Sequence, residues 1–209
     1  MSDAKYKSIV QHYESCLAKH GDSHMGVDWP NIEDANKRYQ VMLELVREKD
    51  HKVSLLDFGC GASHLFEYMA TNSFNNFIYS GLDASSSFCE LSAKKFPKNQ
   101  YICLDALEQS ELLPQFDYIV MNGVFTEKCE LDFDEMFDYF KKMVRIVFEK
   151  SRKGIAFNVM AKAVDWERDD LFHLSMDKLA DFLTKEISRN FIIRNDYGLY
   201  EYTTYVYRD

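Results

Sequence analysis

Between residues 53 and 160 the chain alternates two kinds of apolar segment, and that alternation restricts the fold more than any other feature. Short apolar runs, VSLLD (53–57), NFIYSGLD (76–83), QYICLD (100–105), FDYIVMN (116–122) and GIAFNVM (154–160), are each too brief for a helix. Most are followed by a stretch in which apolar residues recur every three to four positions, the spacing of one helical face. These helical stretches are expected at about 62–69, in ASSSFCELSAKKF closed by Pro97, at about 132–151 and at about 175–188. In the third of them Met136, Phe137, Phe140, Met143, Val144, Val147 and Phe148 keep the spacing without a gap. Strand, helix, strand in succession requires parallel pairing, because the crossover is long enough to carry the chain back. The last two apolar runs, NFIIRND and YEYTTYVYR, are separated only by YGL, so they must form an antiparallel hairpin. The expectation is an α/β protein with a doubly wound seven-stranded sheet: five parallel strands plus a C-terminal antiparallel hairpin.

Ahead of the first strand, Tyr6, Ile9, Val10, Tyr13 and Leu17 line one helical face, and Ala35, Tyr39, Met42, Leu43 and Val46 line another. Two leading helices follow. No linker separates a second unit, so residues 1–209 are expected to form a single domain, with a helical cap over 1–50 and a Rossmann-like core over 51–209.

The 34 acids against 25 bases, a net charge of −9, and the lack of any extended basic cluster argue against nucleic acid as a partner. No window approaches a membrane span and no leader pattern opens the chain, so a cytoplasmic protein is expected. The five cysteines form an odd set without a CxxC pair, which supports neither a disulfide framework nor a zinc knuckle. No metal ligand set is expected, since Gly21 spoils a facing geometry for His20 and His24.

In an open parallel sheet, ligands bind beyond the carboxyl ends of the strands, where the strand order reverses. The first strand ends there in Asp57-Phe58-Gly59-Cys60-Gly61. The two glycines permit a tight turn and close backbone approach, and the following helix start offers free N–H groups. Asp83 closes the second strand, where a carboxylate can accept both hydroxyls of a ribose. Asp105 closes the third, in position to accept from an adenine amine. Together they imply a nucleoside.

This constellation resembles the class I S-adenosylmethionine-dependent methyltransferases. The first motif of that family, an acid before G-x-G, matches Asp57 to Gly61; its strand-two acid matches Asp83 in GLDAS, its strand-three acid Asp105 in CLDAL, and its strand-four segment FDYIVMNGVF. Ser63 stands where the family often has a third glycine. The resemblance implies S-adenosylmethionine as cofactor, with Asp57 toward the amino end of the methionine and the Gly59, Cys60 and Gly61 backbone beside it. It further implies Asp83 and Ala84 at the ribose, Asp105 and Ala106 at the adenine, and Asn122 and Gly123 lining the cofactor. Arg38, on the second leading helix, is the implied partner of the methionine carboxylate.

The chemistry that follows is methyl transfer by in-line displacement, in which alignment supplies most of the acceleration. No catalytic residue is unambiguous. Two segments are positioned to cover the cofactor. KHGDSHMGVDWP offers His24 and Asp28 as proton acceptors and Trp29 as a substrate contact, while VDWERDDLFHL offers His173, Trp166 and Arg168. Tyr197, in the final hairpin, reaches the same rim. Asn122 is followed by Gly123, Val124 and Phe125, not by the two prolines of amino-group nucleic-acid methylases, so a small-molecule acceptor is expected. Two alternatives remain: a nicotinamide-dependent oxidoreductase, whose fingerprint requires a glycine where His64 stands, and a noncatalytic methyltransferase-like binding module.

Overall fold

The central strands bury both faces, and the sequence shows it as near-continuous apolar runs. Along β1 (Val53–Phe58), Val53 and Leu55 point into one apolar cluster and Leu56 and Phe58 into another. The same alternation holds in β4 (Phe116–Phe125), where Tyr118 and Val120 oppose Ile119 and Met121, and in β5 (Ser151–Ala161), where Ala156 opposes Ile155 and Phe157. A period of two with apolar residues on both sides demands a cover on each face.

The computed structural model describes residues 5–48 and 50–208, so the outer ends of the expected 1–50 and 51–209 segments lie outside the described residues. The remaining strands are β2 (Phe77–Asp83), β3 (Gln100–Cys103), β6 (His173–Leu174), β7 (Phe191–Arg194) and β8 (Glu201–Tyr207). The helices are α1 (Lys7–His20), α2 (Ile32–Leu43), α3 (His64–Thr71), α4 (Ser86–Lys95), α5 (Phe133–Lys150) and α6 (Met176–Glu186). Strand order is β3-β2-β1-β4-β5-β8-β7. Neighbours from β3 through β5 are parallel, and β8 enters antiparallel between β5 and β7. This is the expected α/β architecture, with the order reversing between β1 and β4.

One cluster joins α5 and α6 to the sheet through Phe140, Val144, Leu179 and Leu183; the other joins α2 and α3 through Met42, Tyr39 and Leu65. Helices therefore cover both faces.

Three details depart from the expected pattern. β3 stops at Cys103, short of Asp105, because the Asp105 carboxylate accepts the Leu107 N–H at 3.0 Å and turns the chain. β4 continues past Asn122 to Phe125 with a register shift between Met121 and Phe125, a bulge that re-aims the residues between them. The short β6 adds a parallel pairing to β5, making eight strands among the described residues. Among the described residues no helix is long and apolar enough to cross a membrane, and all five cysteines are free.

α5 begins with a reciprocal cap: Asp132 accepts the Glu135 N–H at 2.8 Å, and Glu135 accepts the Asp132 N–H at 3.1 Å. Replacing Asp132 by alanine should therefore cost about 1 kcal/mol of folding stability. Urea denaturation checks this through a lower midpoint at unchanged slope.

Candidate functional site

A cleft opens at the carboxyl ends of β1, β2 and β4. Small-molecule sites are mainly apolar with a few polar groups, and the lining of this cleft has that character. Its floor is the turn after β1. Gly59 and Gly61 have φ of 72° and 51°, a left-handed backbone that side chains rarely adopt, and a Cβ at Gly59 would sit 2.8 Å from Val124. Ser63 continues the same handedness with φ of 60°. Serine tolerates that conformation here at a cost of about 1 kcal/mol. Hydrogen bonds offset the strain: Ser63 Oγ donates to Ser92 Oγ at 2.8 Å, and Ser92 donates to the Gly61 carbonyl at 2.8 Å.

Asp83 holds this turn from the neighbouring strand. Its Oδ2 accepts the Gly61 N–H and its Oδ1 accepts the Ser85 N–H, both at 2.9 Å. A carboxylate offers about four acceptor sites, so beyond its backbone donors Asp83 keeps capacity for a ligand hydroxyl. Burial pushes the Asp83 carboxyl up to about 6 against the pull of its backbone donors. Asp57 is more deeply enclosed, 3% exposed, with one contact from the Tyr79 hydroxyl at 2.8 Å. Burial, reinforced by Asp83 and resisted by Tyr79, raises it to about 7.

The cleft gathers Asp57, Gly59, Cys60, Gly61, Asp83, Ala84, Asp105, Ala106, Asn122 and Gly123 along one wall, together with Trp29. Asn122 Oδ1 is buried without a hydrogen-bond partner, an acceptor that calls for a donor. Asp105 is already engaged: the Tyr6 hydroxyl donates to its Oδ2 at 2.7 Å. Trp29 lies against Gly123, where a Cβ would come within 2.7 Å of its ring.

Other candidates stand off the cleft. Arg38 donates to Glu201 at 2.8 Å and stacks over Trp29 with 4.2 Å to the ring centroid. His24 Nδ1 bonds the Trp29 carbonyl at 2.5 Å, and Asp28 bonds His12 at 2.8 Å. His173 donates from Nδ1 to the Ala161 carbonyl at 2.7 Å and accepts the Arg168 N–H on Nε2 at 3.2 Å, which engages both ring nitrogens. Trp166 is exposed, the Arg168 side chain pairs with Asp170, and Tyr197 bonds Thr203 at 2.9 Å.

Several lining residues escaped the sequence reading. Tyr6, which precedes α1, and Ile9, Val10 and Tyr13 of α1 face the cleft, and Tyr139 of α5 stacks on Tyr6 at 5.7 Å. The signal was present in the α1 stripe, which carries tyrosines where a plain core face would carry leucine or valine. His64 also lines the cleft, bonded to Asp22 at 3.0 Å. Glu127, 8% exposed just beyond β4, is raised to about 7 by burial and then by Asp28.

Residues 56–147 match the family model described as a methyltransferase domain. A Mycobacterium tuberculosis protein, Rv1506c, whose name carries the word methyltransferase, is 27% identical over 158 residues, covering 73% of this chain and 92% of its own length. Among solved structures, the magnesium protoporphyrin IX methyltransferase ChlM of Synechocystis PCC 6803 with bound SAM superposes with a TM-score of 0.65 at 15% identity, covering 98% of this chain and 97% of that one. The plantazolicin methyltransferase BamL, solved with a triazolic desmethylPZN analog and SAH, gives 0.64 at 12% identity, covering 97% and 99%.

The raised Asp57 carboxyl has a stability consequence with a definite sign. An unfolded aspartate titrates near 3.9, so between about pH 4 and 7 the folded chain holds a proton that the unfolded chain has released. This group's contribution is full below about pH 4 and is lost as pH rises through about 7, on the order of 4 kcal/mol in total. Thermal melts of the ligand-free protein at pH 5 to 8 should show that loss, and Asp57→Asn should flatten it. Parallel slopes in the two proteins would mean that Asp57 titrates as an ordinary carboxyl.

Proposed function

We infer that this chain is a class I, Rossmann-like S-adenosylmethionine-dependent methyltransferase that moves a methyl group onto a small-molecule acceptor. The observation that carries the reading is the left-handed glycine turn after β1 held by Asp83, in one cleft with Asp57 and the unpartnered Asn122 Oδ1. These residues suit an adenosyl sulfonium. The Asp83 lone pairs not used by its backbone donors would accept the ribose hydroxyls, and Asp105 and Ala106 would flank the adenine. Asp57 and Asn122 Oδ1 would face the ammonium of the methionine end, a cation that complements a buried carboxyl. The Gly59 to Gly61 backbone gives way where a side chain would collide with the ligand.

When bound, S-adenosylmethionine supplies an already activated methyl group. What the chain must do is align an acceptor with it and exclude water, and such alignment is worth on the order of 7–11 kcal/mol. Val27, Trp29 and Tyr13 form an apolar and aromatic cover suited to that task. For a hydroxyl or amine acceptor, a base adds about a hundred- to ten-thousandfold. His24 and Asp28 would act by holding the cover in place, and Arg38 by supporting Trp29.

A small acceptor is supported by the acidic net charge of −9, which disfavours phosphate backbones, and by the porphyrin and plantazolicin named for the structural relatives. Free thiols and the lack of a spanning helix among the described residues support a cytoplasmic enzyme. The nicotinamide reading is disfavoured because His64, where that fingerprint needs a glycine, is committed to Asp22.

Asp83→Asn should weaken S-adenosylmethionine binding by roughly 10- to 150-fold, the 1.5–3 kcal/mol of a charge-assisted hydrogen bond. Titration calorimetry measures it, with a thermal melt to show that the variant is folded. Undiminished affinity in a folded variant would remove the basis for this assignment. Mass spectrometry of ligand retained on the purified protein gives a second reading, with the thioether product expected.

A further inference from the structure

Beside the cleft's roof lies a group of side chains that do not line the cleft. His12, Cys16 and Asp28 place one ligand atom each within 4.8 Å of one another. We propose that these three residues bind a divalent transition-metal ion of the zinc type, which fastens the 22–30 loop to α1. His12 and Cys16 stand four residues apart, so one turn of α1 brings them to the same face. Asp28 comes from the loop, where it adopts φ of 58°, a left-handed conformation unusual for a residue other than glycine.

The distances suit such an ion with small adjustments. His12 Nε2 lies 2.8 Å from Asp28 Oδ2 and 3.8 Å from Cys16 Sγ. Around tetrahedral zinc, with bonds of about 2.0–2.3 Å, ligand atoms stand roughly 3.4–3.6 Å apart. Shifts on the order of an ångström at half-exposed side-chain ends supply the difference. The donor set also selects the ion. Imidazole nitrogen and thiolate sulfur favour zinc over calcium or magnesium, which take oxygen ligands. A thiolate and a carboxylate together neutralise a dication, and the three protein ligands leave a fourth position for water.

The ion would bear on the cleft without entering it. Asp28 lies between Val27 and Trp29, both of which line the cleft. Anchoring Asp28 to α1 would fix the height of that roof.

The test uses the full chain, stripped with a chelator and titrated with Zn²⁺ in competition with a chromophoric chelator, and separately loaded with Co²⁺. One tightly held Zn²⁺ per chain is expected, and the Co²⁺ form should show tetrahedral d–d bands with a thiolate-to-cobalt charge-transfer band. Cys16→Ser should abolish that band and weaken Zn²⁺ by more than the roughly ten- to hundredfold that loss of an outer partner costs. Cys103→Ser, which changes an exposed thiol on β3, should leave both intact. No Zn²⁺ uptake at micromolar concentration, an octahedral cobalt spectrum without the thiolate band, or Zn²⁺ affinity indifferent to Cys16→Ser would each overturn the proposal. The wild-type cobalt spectrum decides the matter even if a variant fails to fold, and none of these readouts depends on methyl transfer.

Discussion

A hydrogen bond from the Gly61 N–H to the Asp83 carboxylate fastens the turn after β1 to the end of β2, and the cleft depends on it. Beside that contact, the left-handed turn is held by backbone bonds to Leu82, from the Gly59 and Cys60 N–H groups at 2.8 and 2.9 Å, and by Ser92 on the Gly61 carbonyl at 2.8 Å. With these bonds, two neighbouring parallel strands end in one rigid ledge. The same carboxylate accepts the Ser85 N–H ahead of α4, so a single side chain aligns a turn, a strand end and a helix start. Burial makes this arrangement electrostatically expensive, which is why Asp83 and Asp57 both hold their protons more tightly than ordinary carboxyls.

A second network fixes the opposite wall. The Gly123 N–H donates to Asn158 Oδ1 at 2.8 Å, Asn158 donates to Glu201 at 3.0 Å, and Glu201 accepts from Arg38 at 2.8 Å. Arg38 in turn stacks over Trp29, which packs on Gly123, so the path closes on itself. Glu201 is 1% exposed, and such a buried carboxylate is tolerable only because its partners are complete. β4, β5, β8 and α2 thus meet behind one glycine of the cleft.

How much of this could be read from the chain divides along a physical line. The sheet was legible because strands buried on both faces write themselves as apolar runs, and the Gly-x-Gly turn was legible because local backbone geometry demands particular residues. Asp57 and Asp83 were legible as acids closing apolar runs, whereas Asn122, which lies inside β4, came only through the resemblance. What escaped depends on contacts between segments distant in the chain. Nothing near Arg38 announces Glu201, nothing near Asp105 announces Tyr6, and the engagement of both His173 nitrogens by backbone groups cannot be seen in VDWERDDLFHL. Ser63 is the intermediate case: its departure from glycine was visible, but its left-handed backbone and its bond to Ser92 were not.

The way α1 is attached has a consequence for access. α1 and the Tyr6 that precedes it pack on the body through Tyr6, Ile9 and the half-buried Tyr13, and add polar ties: Tyr6 to Asp105, Tyr13 to the Gly123 carbonyl at 3.2 Å, Glu14 to Ser85 at 2.6 Å. The bond to the Gly123 carbonyl is worth about 1 kcal/mol net and the two that involve carboxylates about 1.5–3 kcal/mol, since water replaces them on release. None of these ties belongs to a β-ladder, so swinging the helix outward would leave the sheet intact. Because His12 grips Asp28, the 22–30 loop would travel with it, and the doorway would open as one leaf.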